Sequence, residues 1–180
     1  ELFKVLNHDD VIITGNGSAC VIAFQAAQLK KGQRLFTNSG SASMGYDLPA
    51  AIGASLALNK KRIICLAGDG SLMMNLQELQ TMQGYKLPVK VIILNNHGYL
   101  SIRQTQEAYF SDNMFGIGPE NGVSLPDFVA LGNAFKISSI KVKSIDDWMD
   151  PTTQALLNNK ESAIIEIMLD PSQSFSPKLA

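Results

Sequence analysis

The stretch "RIICLAGDGSLMMN", residues 62–75, decides the fold. An apolar run of strand length, 62–68, ends in Gly68-Asp69-Gly70, and Ser71 then opens a helical pattern. Apolar residues at every position, rather than at alternate ones, belong to a strand buried on both faces, as in a parallel sheet covered by helices. Alone, glycine–aspartate–glycine reads as a strand-to-helix turn. Glycine supplies unusual backbone angles there, and aspartate or serine caps the helix. The same position, the carboxyl end of a parallel strand, is also where ligands bind in such folds.

The rest of the chain repeats the pattern. "VIIT" (11–14) reads as a β-branched strand, and 19–32 as a helix stopped by Lys-Lys-Gly. "RLFT" (34–37) is the next strand. A helix over 47–59 has Asp47 near its start, and Ala50, Ala51, Gly53 and Ala54 permit close approach of another backbone. Residues 71–85 carry apolar side chains at 72, 73, 76, 79 and 82, a helical period. Then follow a buried strand (89–96), a helix near 126–135, a strand (139–142), a helix near 146–158 and a strand (163–169). The pattern predicts an α/β three-layer sandwich with a mostly parallel sheet of about six strands. There is no internal repeat and no low-complexity segment.

A chain of 180 residues makes one domain with a sizeable core. Hydrophobic residues reach 46% against 17% charged, and that apolar surplus points to a face covered by another domain or subunit. A net charge of −1 gives no electrostatic basis for binding nucleic acid or an anionic membrane. No run approaches a membrane span, and no signal peptide is expected. Cys20 and Cys65 lie in apolar segments outside any CxxC or Cys/His cluster, which argues against structural zinc and iron–sulfur sites. Buried free thiols fit a reducing compartment, so the expected location is cytoplasmic. The chain starts at Glu1, directly in an apolar-periodic stretch, and reads as a piece of a longer polypeptide.

The next strand ends "LNNHGY", with Asn95, Asn96 and Gly98. In a parallel sheet both strand ends emerge at one edge, so Asp69 and Asn96 can lie side by side. A carboxylate, an amide oxygen and a backbone carbonyl form a hard oxygen site, suited to Mg²⁺ rather than zinc and open to phosphate oxygens. Backbone amides at Gly70 and Ser71, opening a helix, favour an anion there.

Gly68-Asp69-Gly70, twenty-four residues, then Asn95-Asn96 resembles the thiamine diphosphate (ThDP) motif of ThDP-dependent decarboxylases and acetohydroxyacid (acetolactate) synthases. Two further stretches are similar to the synthases: "NSGSASMGYDLPAAIGA" (38–54) and "NNHGYLSIRQTQEAYF" (95–110). The resemblance covers nearly the whole chain. It implies that residues 1–180 form a C-terminal diphosphate-binding (PP) domain with the ThDP-binding fold, without the pyrimidine-binding and central domains. On this resemblance Asp69 and Asn96 ligate Mg²⁺ by side chain and Gly98 by its carbonyl. Gly68, Gly70 and Ser71 hold the diphosphate, and "GNGSA" (15–19) adds a second loop through Gly17, Ser18 and Ala19. Met44 supports the bent cofactor, and the Ala42 carbonyl accepts from its 4′-amino group. Ser43 and Tyr99 complete the cofactor set. The activating glutamate is expected from the pyrimidine-binding domain of a second subunit, so no catalytic residue is expected in this chain. The implied activity is decarboxylation of a 2-oxo acid, pyruvate first, with transfer of the two-carbon unit to an acceptor carbonyl. The implied assembly is a homodimer or homotetramer, and FAD is left open for the full-length enzyme.

Some residues depart from the synthase pattern. Thr105 stands where the synthases usually have Trp, which leaves room for a bulkier acceptor; with Gln104 it is a candidate for the substrate pocket. In "TNSGSASM" Ser and Ala replace glycines, and "GYD" replaces "GYG". Tyr99 and Gln104 either line the pocket or pack and cap the following helix. His97 is read as a loop histidine bonded to backbone rather than a proton shuttle, and His8 as a surface residue. Met73, Met74 and Met82 are read as core or domain interface. A simple 2-oxo acid decarboxylase, built of separate pyrimidine and PP chains, and a non-catalytic ThDP-fold binding module remain alternatives. A Rossmann NAD domain fails because "GNGSAC" lacks the last glycine of G-x-G-x-x-G. A 2-oxo acid:ferredoxin oxidoreductase subunit would need cluster cysteines.

Overall fold

The computed structural model describes residues 1–110, 113–173 and 175. Six strands form one sheet: β1 (Val11–Thr14), β2 (Arg34–Phe36), β3 (Ile63–Gly68), β4 (Val89–Asn95), β5 (Ser138–Val142) and β6 (Ala163–Met168). Their order is β2-β1-β3-β4-β6-β5, and every neighbouring pair is parallel. The helices are α1 (Leu2–Val5), α2 (Gly17–Ala26), α3 (Asp47–Ala57), α4 (Asp69–Leu72), α5 (Glu78–Gly84), α6 (Leu100–Tyr109), α7 (Phe128–Ala134), α8 (Ile145–Met149) and α9 (Pro151–Asn158).

Side chains alternate across the sheet and build two cores. Val11 and Ile13, Ile63, Cys65 and Ala67, and Val89, Val91 and Ile93 pack on one face against Leu48, Ala51 and Ile52 of α3, Leu79 and Met82 of α5, and Phe128 of α7. Ile12, Ile64, Leu66, Ile92 and Ile165 pack on the other against Ala23 of α2, Trp148 of α8 and Leu157 of α9. The period of two in strand geometry therefore explains why β1, β3 and β4 are apolar at nearly every position. The result is the expected three-layer α/β sandwich. The crossover from β1 leads to β2 on one side, whereas β3 and β4 follow on the other. The gap between the carboxyl ends of β1 and β3 is thus a topological switch point, where such folds hold ligands.

Several boundaries differ from the sequence reading. The helix read over 19–32 is α2, which starts at Gly17 and ends at Ala26 with Ala27 extended. Lys30 does not cap it. Its ammonium instead donates to the carbonyls of Lys4 and Leu6, at 2.9 and 2.6 Å, at the end of α1. The helix read over 71–85 is α4, a 3₁₀ turn (Met73–Asn75) and α5. Its apolar period survives the break: Leu72, Leu79 and Met82 are core, Met73 and Leu76 pack against it, and Met74 is exposed. The helix read near 146–158 is two helices. Asp150 is extended, as a residue before proline prefers, and its side chain caps α9 through the Thr152 amide at 2.8 Å. Cys65 is buried as expected, but Cys20 is only half-buried, with its Sγ 2.9 Å from Thr37 Oγ1. Among the described residues no helix is long and apolar enough to cross a membrane.

Candidate functional site

A cleft of about 270 Å³ opens at the carboxyl ends of β1, β3 and β4. Loop 16–18 after β1, Ala42 and Met44 before α3, the Gly68–Ser71 turn after β3, and Gly98–Ile102 after β4 line it. These come from distant parts of the chain and meet because the three strands are neighbours.

Asp69 is buried at the centre, and backbone donors fix both of its oxygens. Gly70 N–H donates to Oδ1 at 2.8 Å and Gly98 N–H to Oδ2 at 2.9 Å. Burial pushes its carboxyl above the usual range, opposed by those two amides and by nearby His97. Gly98 sits at φ +138°, where a Cβ would lie 2.0 Å from the Ile117 carbonyl oxygen. The Tyr99 ring lies over Gly70, where a Cβ would fall 2.2 Å from Tyr99 Cε1. Close approach therefore requires glycine at both positions, and at Gly98 the backbone angle requires it as well.

Asn96 is buried, and its Nδ2 donates to Ser18 Oγ at 3.4 Å, which joins the β4 turn to the β1 loop. Its Oδ1 is the acceptor end of the amide. Ala42 adopts a left-handed backbone (φ +50°), an unfavourable conformation for a residue with a Cβ, at a position where the synthase pattern has glycine. Met44 is 39% exposed, with its side chain on the cleft.

The predicted site residues divide clearly. Gly17, Ser18, Ala42, Met44, Gly68, Asp69, Gly70, Ser71, Gly98 and Tyr99 line the cleft. Ala19 and Asn96 are buried outside the lining, and Ser43 is exposed beside Met44, also outside it. Gln104 and Thr105 lie further along α6, beyond the first turn that borders the cleft; Thr105 Oγ1 donates to the Ser101 carbonyl at 3.0 Å. The His97 side chain is exposed, and its backbone N–H, at φ +61°, donates to Asn95 Oδ1 at 3.0 Å. His8 is exposed.

Two residues behind the cleft escape the sequence reading. Glu166 on β6 is 1% exposed, accepts from Asn95 Nδ2 at 2.7 Å and pairs with Lys141 of β5 at 3.1 Å. Asp47, read only as a helix-opening acid, is also 1% exposed and accepts from Ser71 Oγ at 2.7 Å. Burial pushes its carboxyl up, opposed by the bonds from Ser71 and Leu48. The available signal was a glutamate inside an apolar strand and an aspartate where the pattern has glycine.

The donor set fits a hard divalent cation with a diphosphate. An ionised carboxylate has about four lone-pair sites, and the two backbone amides occupy two at Asp69. The remaining lone pairs, the Asn96 amide oxygen and the Gly98 carbonyl are all oxygen donors of the kind such an ion takes. Among the described residues no three His, Cys, Asp or Glu side chains converge, so the set is not of the zinc type.

The family model of the thiamine pyrophosphate enzyme C-terminal TPP binding domain matches residues 15–167. Similar proteins include the acetolactate synthase large subunits of Parasynechococcus marenigrum (strain WH8102) and Cyanidium caldarium. They are 38% identical over 74% of this chain and 21% of that protein, and 35% identical over 88% and 26%. The acetolactate synthase isozyme 2 large subunit of Escherichia coli (strain K12) is 30% identical over 94% of this chain and 30% of its own length. The chain thus spans between a fifth and a third of the length of these relatives. With a six-stranded parallel sheet, a Gly-Asp-Gly turn and an Asn-Asn turn meeting at its switch point, and this match over most of its length, the chain belongs to the thiamine pyrophosphate enzymes as an acetolactate synthase-like C-terminal TPP-binding domain.

Proposed function

We propose that the cleft holds the diphosphate end of thiamine diphosphate through one Mg²⁺ bound by Asp69, Asn96 and the Gly98 carbonyl. The observation that carries this reading is the Asp69 carboxylate, buried at the carboxyl end of β3 and aimed by the amides of Gly70 and Gly98. A buried carboxylate so held is costly unless a cation or donors meet it, and a divalent ion meets its remaining lone pairs.

Each element has a task in this proposal. Gly68, Gly70, Gly17, Ser18, Ala19 and the backbone amide of Ser71 receive the diphosphate. Met44 gives apolar support to the bent cofactor, Ala42 offers its carbonyl to the 4′-amino group, and Ser43 and Tyr99 flank them. When bound, the cofactor supplies an electron sink for decarboxylation of a 2-oxo acid. The whole enzyme decarboxylates such an acid, pyruvate first, and transfers the two-carbon unit to an acceptor carbonyl, with Gln104 and Thr105 towards the substrate. It works in the cytoplasm as a homodimer or homotetramer. The pyrimidine-binding domain of a second subunit provides the activating glutamate, and this chain is the PP domain of that longer enzyme.

Calorimetry of ThDP binding to the full-length protein, with Mg²⁺ and with EDTA, tests the reading beside Asp69→Ala. Binding that needs Mg²⁺ and vanishes in the variant supports it. A full-length protein that ignores ThDP under both conditions overturns it in favour of a non-catalytic module.

A further inference from the structure

Asp47 stands where the synthase pattern has glycine, and it lies outside the cleft lining. It is the first residue of α3, and its Oδ1 accepts the Leu48 N–H at 3.0 Å. Its Oδ2 accepts the Ser71 hydroxyl at 2.7 Å. Ser71 Oγ in turn accepts the Gly45 N–H at 2.9 Å, and the Gly45 carbonyl accepts from Asn75 Nδ2 at 2.8 Å. Gly45 is thereby held at both ends. It sits at φ +80°, and a Cβ there would fall 2.7 Å from both Met74 Cβ and Asn75 Nδ2. Gly15, in the β1 loop, approaches Asp47 so closely that a Cβ would lie 2.6 Å from Oδ2. One buried carboxylate therefore abuts the β1 loop, the 42–46 loop and the β3 turn together.

The proton count limits what Ser71 can do. A serine hydroxyl has one hydrogen to donate, and a carboxylate is only an acceptor. While Ser71 donates to Asp47, its oxygen offers an anion in the cleft nothing but lone pairs, which repel phosphate oxygens. Its orientation is further fixed by the incoming Gly45 amide. The hydroxyl is thus turned away from any diphosphate and into the chain.

We infer that Asp47 is a positioning residue: through the Ser71 hydroxyl it fixes the Gly45 amide, and with it the adjacent Met44 on the cleft, so that this hydroxyl serves the 42–46 loop rather than the diphosphate. The inference rests on the ThDP reading above, because Met44 matters only as a support for that cofactor. It also separates two properties the cleft would otherwise share. Removing the Asp47–Ser71 bond loosens the support beneath the cofactor and leaves its anchoring by metal in place.

The test uses the full-length protein with Asp47→Ala, Ser71→Ala and the double variant. Three quantities are measured: calorimetric affinity for ThDP with Mg²⁺, turnover at saturating cofactor per folded molecule, and amide hydrogen exchange of segment 43–46 without cofactor. A hydrogen bond to a charged group corresponds to a change of about tenfold or more. Each single variant is expected to speed exchange at 43–46 and to lower saturated turnover by about tenfold, with affinity shifting less than about threefold. The double variant should be no worse than the more impaired single one, because both break the same chain. Ser71→Ala weakening affinity about tenfold while Asp47→Ala leaves all three quantities as in the wild type would overturn the inference and return the hydroxyl to the diphosphate. Variants that only melt earlier, with turnover per folded molecule unchanged, would also overturn it. A wild type that does not bind ThDP overturns the proposed function and the positioning role with it, whereas a wild type that binds beside wild-type-like variants overturns the positioning role alone.

Discussion

Asn95 Nδ2 donates to Glu166 Oε1 at 2.7 Å, while Asn95 Oδ1 accepts the backbone N–H of His97 at 3.0 Å. One amide therefore ties β6 to the turn that presents Asn96 and Gly98. Lys141 holds the other Glu166 oxygen at 3.1 Å, so the tie runs through three neighbouring strands to the edge of the cleft. Removing one partner of such a buried set strands the others. Glu166→Ala is expected to cost about 3 kcal/mol in stability, and Glu166→Gln less, because the amide oxygen still accepts from Asn95. Denaturant unfolding of both variants checks this, and Mg²⁺-dependent ThDP affinity should fall in the same order.

The Tyr99 ring covers Gly70 so closely that Gly70→Ala must displace it. Loss of Mg²⁺-dependent ThDP binding is expected for Gly70→Ala. Combining it with Tyr99→Ala removes the clash and should restore folding stability more than binding. The thermal melting of the single and double variants, read beside calorimetric titration, separates the two effects.

Ala42 has the opposite problem, a Cβ in left-handed backbone at φ +50°. A left-handed conformation costs about 1–2 kcal/mol, and glycine avoids it at an entropic cost of about 0.5–1 kcal/mol. Ala42→Gly should therefore stabilise the protein by up to about 1 kcal/mol, and Ala42→Val should destabilise it by at least as much. Chemical denaturation midpoints measure both changes.

Lys90 is fully buried in β4, bonded to Asn159 Oδ1 and to the Glu161 carbonyl. Burial, aided by the Arg62 charge, lowers its pKa from 10.5 to about 8. The folded state therefore gives up this proton before the unfolded chain does. The penalty is full below about 8, fades as pH rises, and is gone above 10.5. Across that window this group makes the protein more stable as pH rises, by at most about 1.4 kcal/mol per pH unit. Melting temperatures of wild type and Lys90→Met between those limits should converge at high pH if the packing is retained.

The layers, the parallel sheet and the shared edge of the two polar turns were legible because each rests on a local pattern. The apolar runs at 62–68 and 89–96 can only be doubly buried strands, and two polar turns at their ends must share an edge. What escaped depends on tertiary partners. Lys30 looked like a helix stop, yet it caps carbonyls of α1. The interruption after Leu72 accompanies a bond from Asn75 to Gly45, thirty residues back in the chain. The break at Asp150 was readable from Pro151, but the apolar period across it masked the proline. Glu166 and Asp47 have meaning only through Asn95 and Ser71, which no spacing places beside them. Gln104 and Thr105 were carried by resemblance alone, and they follow on α6 two and three residues after Ile102, which borders the cleft.

The pairing of Gly68 with Leu94 places the Asp69 and Asn96 turns at the ends of adjacent strands. Adjacent strands stand about 4.8 Å apart in every β-sheet, whatever their side chains. The span between the two turns is therefore gauged by backbone hydrogen bonding, not by the residues packed beneath it. Core positions can drift freely among apolar residues while this gauge holds.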